Sequence, residues 1–161
     1  MASATTVRLV MSSEVRLVDV AHAASETMAG IAGFEEDDAL SVAIAVREAV
    51  INAIVHGNRM DPSRRVEVSL QARPRSIRAR VRDQGGGFDS GGTPDPTVGD
   101  NRLRSSGRGL LVMRAFVDSV DFKFREGHGM EVTLKKNRVI KKTNTSARPP
   151  AAAVDNGGIE R

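Results

Sequence analysis

"EAVINAIVHG", Glu48 to Gly57, is the stretch on which the reading of this chain turns. Val50, Ile51, Ile54 and Val55 supply the apolar surface of a buried helix. Glu48, Asn52 and His56 interrupt it at i, i+4 and i+8, a spacing that puts a carboxylate, an amide and an imidazole on one side of that helix. Taken alone, such a stripe faces solvent, and a histidine near a helix end simply complements the dipole. Its meaning depends on what the rest of the chain brings to it.

Upstream, "FEEDDALSVAIAVREA" crowds acids into a first turn, as the helix dipole favours, and extends the same apolar stripe, so one long helix is expected to run to Gly57. Before it, "TTVRLVM" (5–11) reads as a strand, and "SSEVRLVDVAHAASETMAG" as a first helix capped by Ser12 or Ser13 and stopped by Gly30. Downstream, "RRVEVSLQA" and "SIRARVRD" alternate apolar and polar residues on either side of "RPR", the pattern of an antiparallel hairpin. Residues 85–107 turn to Gly, Pro, Asp and Ser with no period, which reads either as a functional lid or as a wrongly assigned segment. "RGLLVMRAFVD" resumes a helical pattern, and "SVDFKFREG" and "GMEVTLKK" form a second hairpin through "EGHG".

This order predicts an α+β fold, a two-layer α/β sandwich with helices on one face of a mixed, mostly antiparallel sheet. One domain is expected over residues 1–136. The segment 137–161 is small, polar and Pro-containing and is expected to be a disordered tail.

The 161 residues contain no cysteine, which excludes disulfides, thiolate metal sites and cysteine nucleophiles and fits a reducing cytoplasm. No secretory segment is visible, and no stretch approaches the roughly 18 apolar residues of a membrane span. The formal charge is +4. Arg78, Arg80 and Arg82 alternate with Ile77, Ala79 and Val81, as on a strand with one wet face. With five Phe and neither Trp nor Tyr, the chain lacks stacking platforms, and no direct nucleic-acid partner is expected.

Two further motifs complete the pattern. "DQGGGFD" follows a strand and sets Asp83, Gly85 and Gly87 in a D-x-G-x-G spacing, where glycines let backbone approach a ligand and a carboxylate can accept a hydrogen bond from an exocyclic amine. "SSGRGLL" places Gly107, Arg108, Gly109 and Leu110 where the loop enters a helix, with exposed N–H groups suited to phosphate and Arg102 and Arg104 nearby. Each motif alone is also how turns and flexible connections are written.

Read in order, E-x-x-x-N-A-x-x-H-G, D-x-G-x-G and S-G-x-G-L resemble the Bergerat-type ATP-binding fold of gyrase, Hsp90, histidine kinases and MutL. The short chain and the helix-to-lid layout look most like the bacterial anti-sigma factor serine kinases. The resemblance covers about residues 5 to 136. It implies Asn52 as the Mg²⁺ ligand bridging to ATP phosphates, Glu48 as general base and Asp83 as adenine reader. It implies Gly85 and Gly87 as shapers of the adenine pocket, and Arg104, Gly107, Arg108, Gly109 and Leu110 as the lid over the triphosphate. His56 and Gly57 are supporting parts. It further implies an ATP-dependent serine/threonine kinase that holds a sigma factor and phosphorylates a STAS-type anti-anti-sigma protein, acting as a homodimer. The alternative is a binding module whose lid responds to ATP without phosphoryl transfer. A detached histidine-kinase domain fits less well, because His22 sits in a helix with no dimerisation heptad. Pro94, Asp95, Pro96 and Asp100 depart from the family's lid pattern.

Overall fold

The computed structural model describes residues 3–85 and 107–139. Their order is β1 (Thr5–Ser12), α1 (Val18–Ile31), α2 (Glu36–Asn52), β2 (Arg65–Arg73), β3 (Ser76–Arg82), α3 (Gly107–Phe116), β4 (Ser119–Arg125) and β5 (Gly129–Asn137). The strands form one sheet in the order β1-β2-β3-β5-β4. Every pairing in it is antiparallel, so the mixed component of the expected sheet is absent among the described residues. Although β3 and β4 run in the same direction, β5 lies between them, so no two adjacent strands pair in parallel.

Alternation in the strands builds the core. Val66, Val68, Leu70 and Ala72 of β2 and Ile77, Ala79 and Val81 of β3 are buried on one face, while their neighbours face outward. The helices lie on that apolar face. The buried stripe of α2 is rich in Ala and Val, small enough to bring the helix close to the sheet, and α1 and α3 flank it. Met113 of α3 and Val117 just past its end are buried in the core. With its following turn, α2 runs from Glu36 to Gly57, and at 22 residues it is long and apolar enough to cross a membrane by length and composition. That departs from the expectation that no stretch approaches a span. Here its apolar side chains form the centre of the sandwich.

Three local expectations change. Ser12 and Ser13 cap no helix. Ser12 ends β1 and its hydroxyl donates to Glu14, while Ser13 Oγ donates to the Arg64 carbonyl at 3.0 Å, and the chain enters α1 through a 3₁₀ turn at Val15–Leu17. Gly30 remains inside α1, and the chain leaves through Gly33 at φ +87°, a left-handed conformation that glycine adopts without strain. Finally, β5 continues to Asn137, and Arg138 N–H donates to the Arg75 carbonyl at 2.8 Å, so pairing runs past the expected boundary at Lys136. The rest of the expected tail, 140–161, lies outside the described residues.

On the outer face, Glu131 is 7% exposed and is held by Arg82, with Arg125 Nη2 at 3.9 Å. Burial pushes its carboxyl upward, but the Arg82 hydrogen bond and charge, with Arg125 and Arg80, outweigh this and hold it below the ordinary glutamate range. A carboxyl with a lowered folded pKa contributes stability above its ordinary value of 4.5, and that contribution is lost as pH falls through the folded value. Arg82 is 40% exposed, so water screens the pair and its worth is on the order of 1 kcal/mol. In urea unfolding, Glu131→Gln is therefore expected to be less stable at about pH 7, with the difference vanishing by about pH 3.

Candidate functional site

The site begins where α2 changes pitch. Ala53–Gly57 forms a π turn, with Asn58 N–H reaching back to the Ala53 carbonyl at 2.8 Å. Such turns widen the end of a helix and occur at functional sites. They also disturb the simple i, i+4, i+8 stripe. Asn52, the last α-helical residue, is 8% exposed.

Opposite it, β3 ends and delivers Asp83, which is 6% exposed. Asp83 Oδ1 accepts N–H groups from Gly85 at 2.9 Å and from Met130 at 3.0 Å, and Asp83 N–H donates to the Met130 carbonyl at 3.0 Å. The carboxylate is thus fixed by backbone donors at the centre of the sheet. Gly57, Gly85 and Gly129 allow this. A Cβ at Gly57 would collide with the Asp83 carboxylate, one at Gly129 with Asp83 Oδ1 and its carbonyl, and one at Gly85 with the Gly57 carbonyl. Gly129 also holds φ +85°.

Asn58 locks the same corner. It is fully buried. Its Nδ2 donates to Ser13 Oγ at 2.8 Å and to the Arg65 carbonyl at 2.9 Å, while Oδ1 accepts Gln84 N–H at 2.7 Å. One side chain thereby ties the end of β1, the start of β2 and the segment just past Asp83 to the end of the helix. Neither Asn58 nor Gly129 was singled out by sequence reasoning. Asn58 follows the helix motif directly in "HGN", whereas Gly129 carries no local mark beyond its hairpin turn.

Between helix and sheet lies a small cavity of about 40 Å³, walled by Ala49, Asn52, Ala53, His56, Gly57, Val81, Asp83, Phe122, Met130 and Val132. It is mostly apolar, with one fixed carboxylate and one amide. The chemistry of this lining, apolar walls beside one fixed carboxylate, matches the edge of a flat, largely apolar ring that offers an N–H. A larger cavity of about 350 Å³ lies across the outer sheet face, walled by Arg65, Arg82, Arg125 and His128 among others. It shares Asp83 and Met130 with the inner cleft but contains neither Asn52 nor any residue of α2.

The expected residues are partly brought together. Asn52 and Asp83 line the inner cavity, and Gly85 braces Asp83 from behind. His56 and Gly57, read as supporting parts, are wall residues of the cavity. Glu48 is half-buried one turn before Asn52 and does not line the cavity. Gly107, Arg108, Gly109 and Leu110 open α3 as expected, with Arg108 exposed, but the described cavity wall includes none of them. Gly87, Arg104 and the departures at Pro94, Asp95, Pro96 and Asp100 lie outside the described residues. His22 is half-buried on α1, 3.8 Å from Glu26.

Comparison with known proteins agrees with this architecture. Residues 11–136 match the family model described as the histidine kinase-like ATPase domain. Among curated relatives, the chain is 34% identical over 104 residues to an anti-sigma F factor of Geobacillus thermodenitrificans, covering 63% of this chain and 70% of that protein. It is 30% identical over 103 residues to an anti-sigma F factor of Anoxybacillus flavithermus, with the same coverage of 63% and 70%. It is 31% identical over 123 residues to the serine-protein kinase RsbW of Bacillus licheniformis, covering 70% and 76%. A crystal structure of the RsbU and RsbW domains of a Mycobacterium tuberculosis protein superposes with a TM-score of 0.59 at 20% identity. That match covers 83% of this chain but only 32% of the other, and at this identity it speaks for the fold alone. The matched span runs from the end of β1 to β5 and takes in every described helix and the glycine-braced Asp83, and the chain accordingly belongs to the histidine kinase-like ATPase family, beside relatives named as anti-sigma F factors and RsbW.

Proposed function

We propose that the inner cleft binds ATP and that the protein is a serine/threonine kinase acting as an anti-sigma factor. The observation that carries the reading is the opposition of Asp83 and Asn52 across one apolar cleft at the end of α2. Asp83, held by two backbone N–H groups, accepts the exocyclic amine of adenine, and Val81, Phe122, Met130 and Val132 supply apolar contact for the ring. Asn52 stands toward the phosphates.

The donor chemistry fits Mg²⁺. No cluster of three or more His, Asp or Glu that could cage a metal exists among the described residues. Mg²⁺ needs no such cage, because it keeps several waters and binds through substrate phosphates with few protein ligands, so the Asn52 amide oxygen is a sufficient protein contribution. Bound there, the metal would neutralise developing charge on the phosphates.

In the transfer step, the hydroxyl oxygen of an acceptor Ser or Thr attacks the γ-phosphorus and the bond to the β–γ bridging oxygen breaks. Glu48 takes the hydroxyl proton, and ADP leaves with the electron pair. The names of the relatives support a sigma factor as the protein held. A STAS-type anti-anti-sigma protein as acceptor fits the same reading. A homodimer is in keeping with the sheet edge at β1, where Val10 is exposed. Incubation with Mg-ATP and a cognate STAS-domain protein is expected to yield a phosphoserine or phosphothreonine adduct by mass spectrometry. One observation favours the second reading, a nucleotide-responsive binder without transfer: Glu48 stands outside the cavity wall. Absence of the adduct with a partner that nonetheless binds in a nucleotide-dependent way would select it.

A further inference from the structure

The excess positive charge of the chain is concentrated on one surface. Helices cover one face of the sheet, and the opposite face is open. From β1 to β4 that open face presents nine Arg or Lys against three Asp or Glu, an excess larger than the net +4 of the whole chain. Two of the three carboxylates are ion-paired, and the third stands opposite an arginine. Glu131 is held by Arg82, Asp121 lies 3.6 Å from Lys135, and Glu67 stands opposite Arg82 in the register. Among the described residues, Arg8, Arg78 and Arg80 have no carboxylate within ion-pair distance.

The placement of Arg78 is unfavourable for the fold itself. Arg78 stands between Gln71 of β2 and Lys135 of β5, and Arg80 between Ser69 and Thr133. Arg8 lies opposite the same Ser69. Like charges directly opposite on neighbouring strands destabilise a sheet, as Arg78 and Lys135 do here. At strand spacings near 4.8 Å, Arg8 and Arg80 flank β2 at roughly 10 Å. A local choice that opposes stability without a packing return marks a functional surface.

We propose that this open face binds an acidic segment of a partner protein, rich in Asp and Glu, laid across β1, β2 and β3 on Arg8, Arg78 and Arg80. Protein is favoured over nucleic acid because no Phe side chain projects from the strands of this face among the described residues, so bases find no such ring to stack on. The surface is separate from the ATP cleft, and its assignment holds whether or not phosphate is transferred.

The test is fluorescence anisotropy of labelled poly-L-glutamate with the full chain at low and high salt. Wild type is compared with Arg78→Glu/Arg80→Glu and with Arg47→Glu, which reverses an exposed charge on α2 in the helical layer. Wild type should bind saturably and more weakly as salt rises. The double variant should lose about tenfold or more in affinity, and Arg47→Glu should stay within about twofold. Arg78→Glu alone should melt no lower than wild type, because it then faces Lys135 with opposite charge, which separates lost binding from lost fold. No binding by wild type, an equal loss in Arg47→Glu, or tighter binding of a single-stranded oligonucleotide of matched charge would overturn the proposal.

Discussion

Asp83→Asn is expected to weaken ATP binding by about 10- to 100-fold while leaving the fold intact, because hydrogen bonds to a charged acceptor are worth roughly 1.5–3 kcal/mol. The asparagine carbonyl oxygen can take the place of Oδ1 and keep the N–H groups of Gly85 and Met130, so the corner stays closed. On the Gly57 side, where Oδ2 lies against the cavity, an acceptor becomes an amide donor. That donor opposes the adenine amine and suits the carbonyl of guanine instead. The preference for ATP over GTP should therefore shrink along with the affinity, as isothermal titration with each nucleotide would measure. Unchanged ATP affinity would remove Asp83 from the adenine site.

Glu48→Gln separates kinase from binder. If Glu48 accepts the proton of the attacking hydroxyl, transfer to the acceptor should fall by about 10²- to 10⁴-fold, the range lost with a general base. Nucleotide affinity should stay within about threefold, since the side chain lies outside the described cavity wall. Single-turnover transfer beside a direct binding measurement distinguishes the two quantities. A variant that transfers normally would return Glu48 to the ordinary solvated face of a helix.

Much of the fold was legible because its signals are local. The alternation that buries Val66, Val68 and Leu70, and the Ala and Val stripe of α2, are periodicities read within a few residues. The helix start was misread for a related reason. Ser12 and Ser13 have the right chemistry for caps, but their hydroxyls are used by Glu14 and by the Arg64 carbonyl, which only the folded chain brings near.

The site divides along the same line. Asn52 and Asp83 sit in short motifs and were found, and the structure sets them in one cleft. The stripe put His56 beside Asn52, and both line the cleft, whereas Glu48 of the same stripe does not; the π turn at Ala53–Gly57 has no clear sequence mark. Gly129 lies far along the chain from Asp83, and its need to be glycine appears only when β5 lies beside β3. Asn58 is polar and follows a helix, which reads as a turn residue. Its burial among three strand ends is a tertiary fact.

The central claim is that the cleft between α2 and the sheet binds ATP with Asn52 contributing to a magnesium site. Its most direct test is an ATP titration of wild type and Asn52→Ala, each with and without Mg²⁺. Wild type should bind ATP about tenfold or more tightly with Mg²⁺ than without it, and Asn52→Ala should abolish most of that enhancement. An equal Mg²⁺ enhancement in both proteins, or no ATP binding by wild type, would contradict the account.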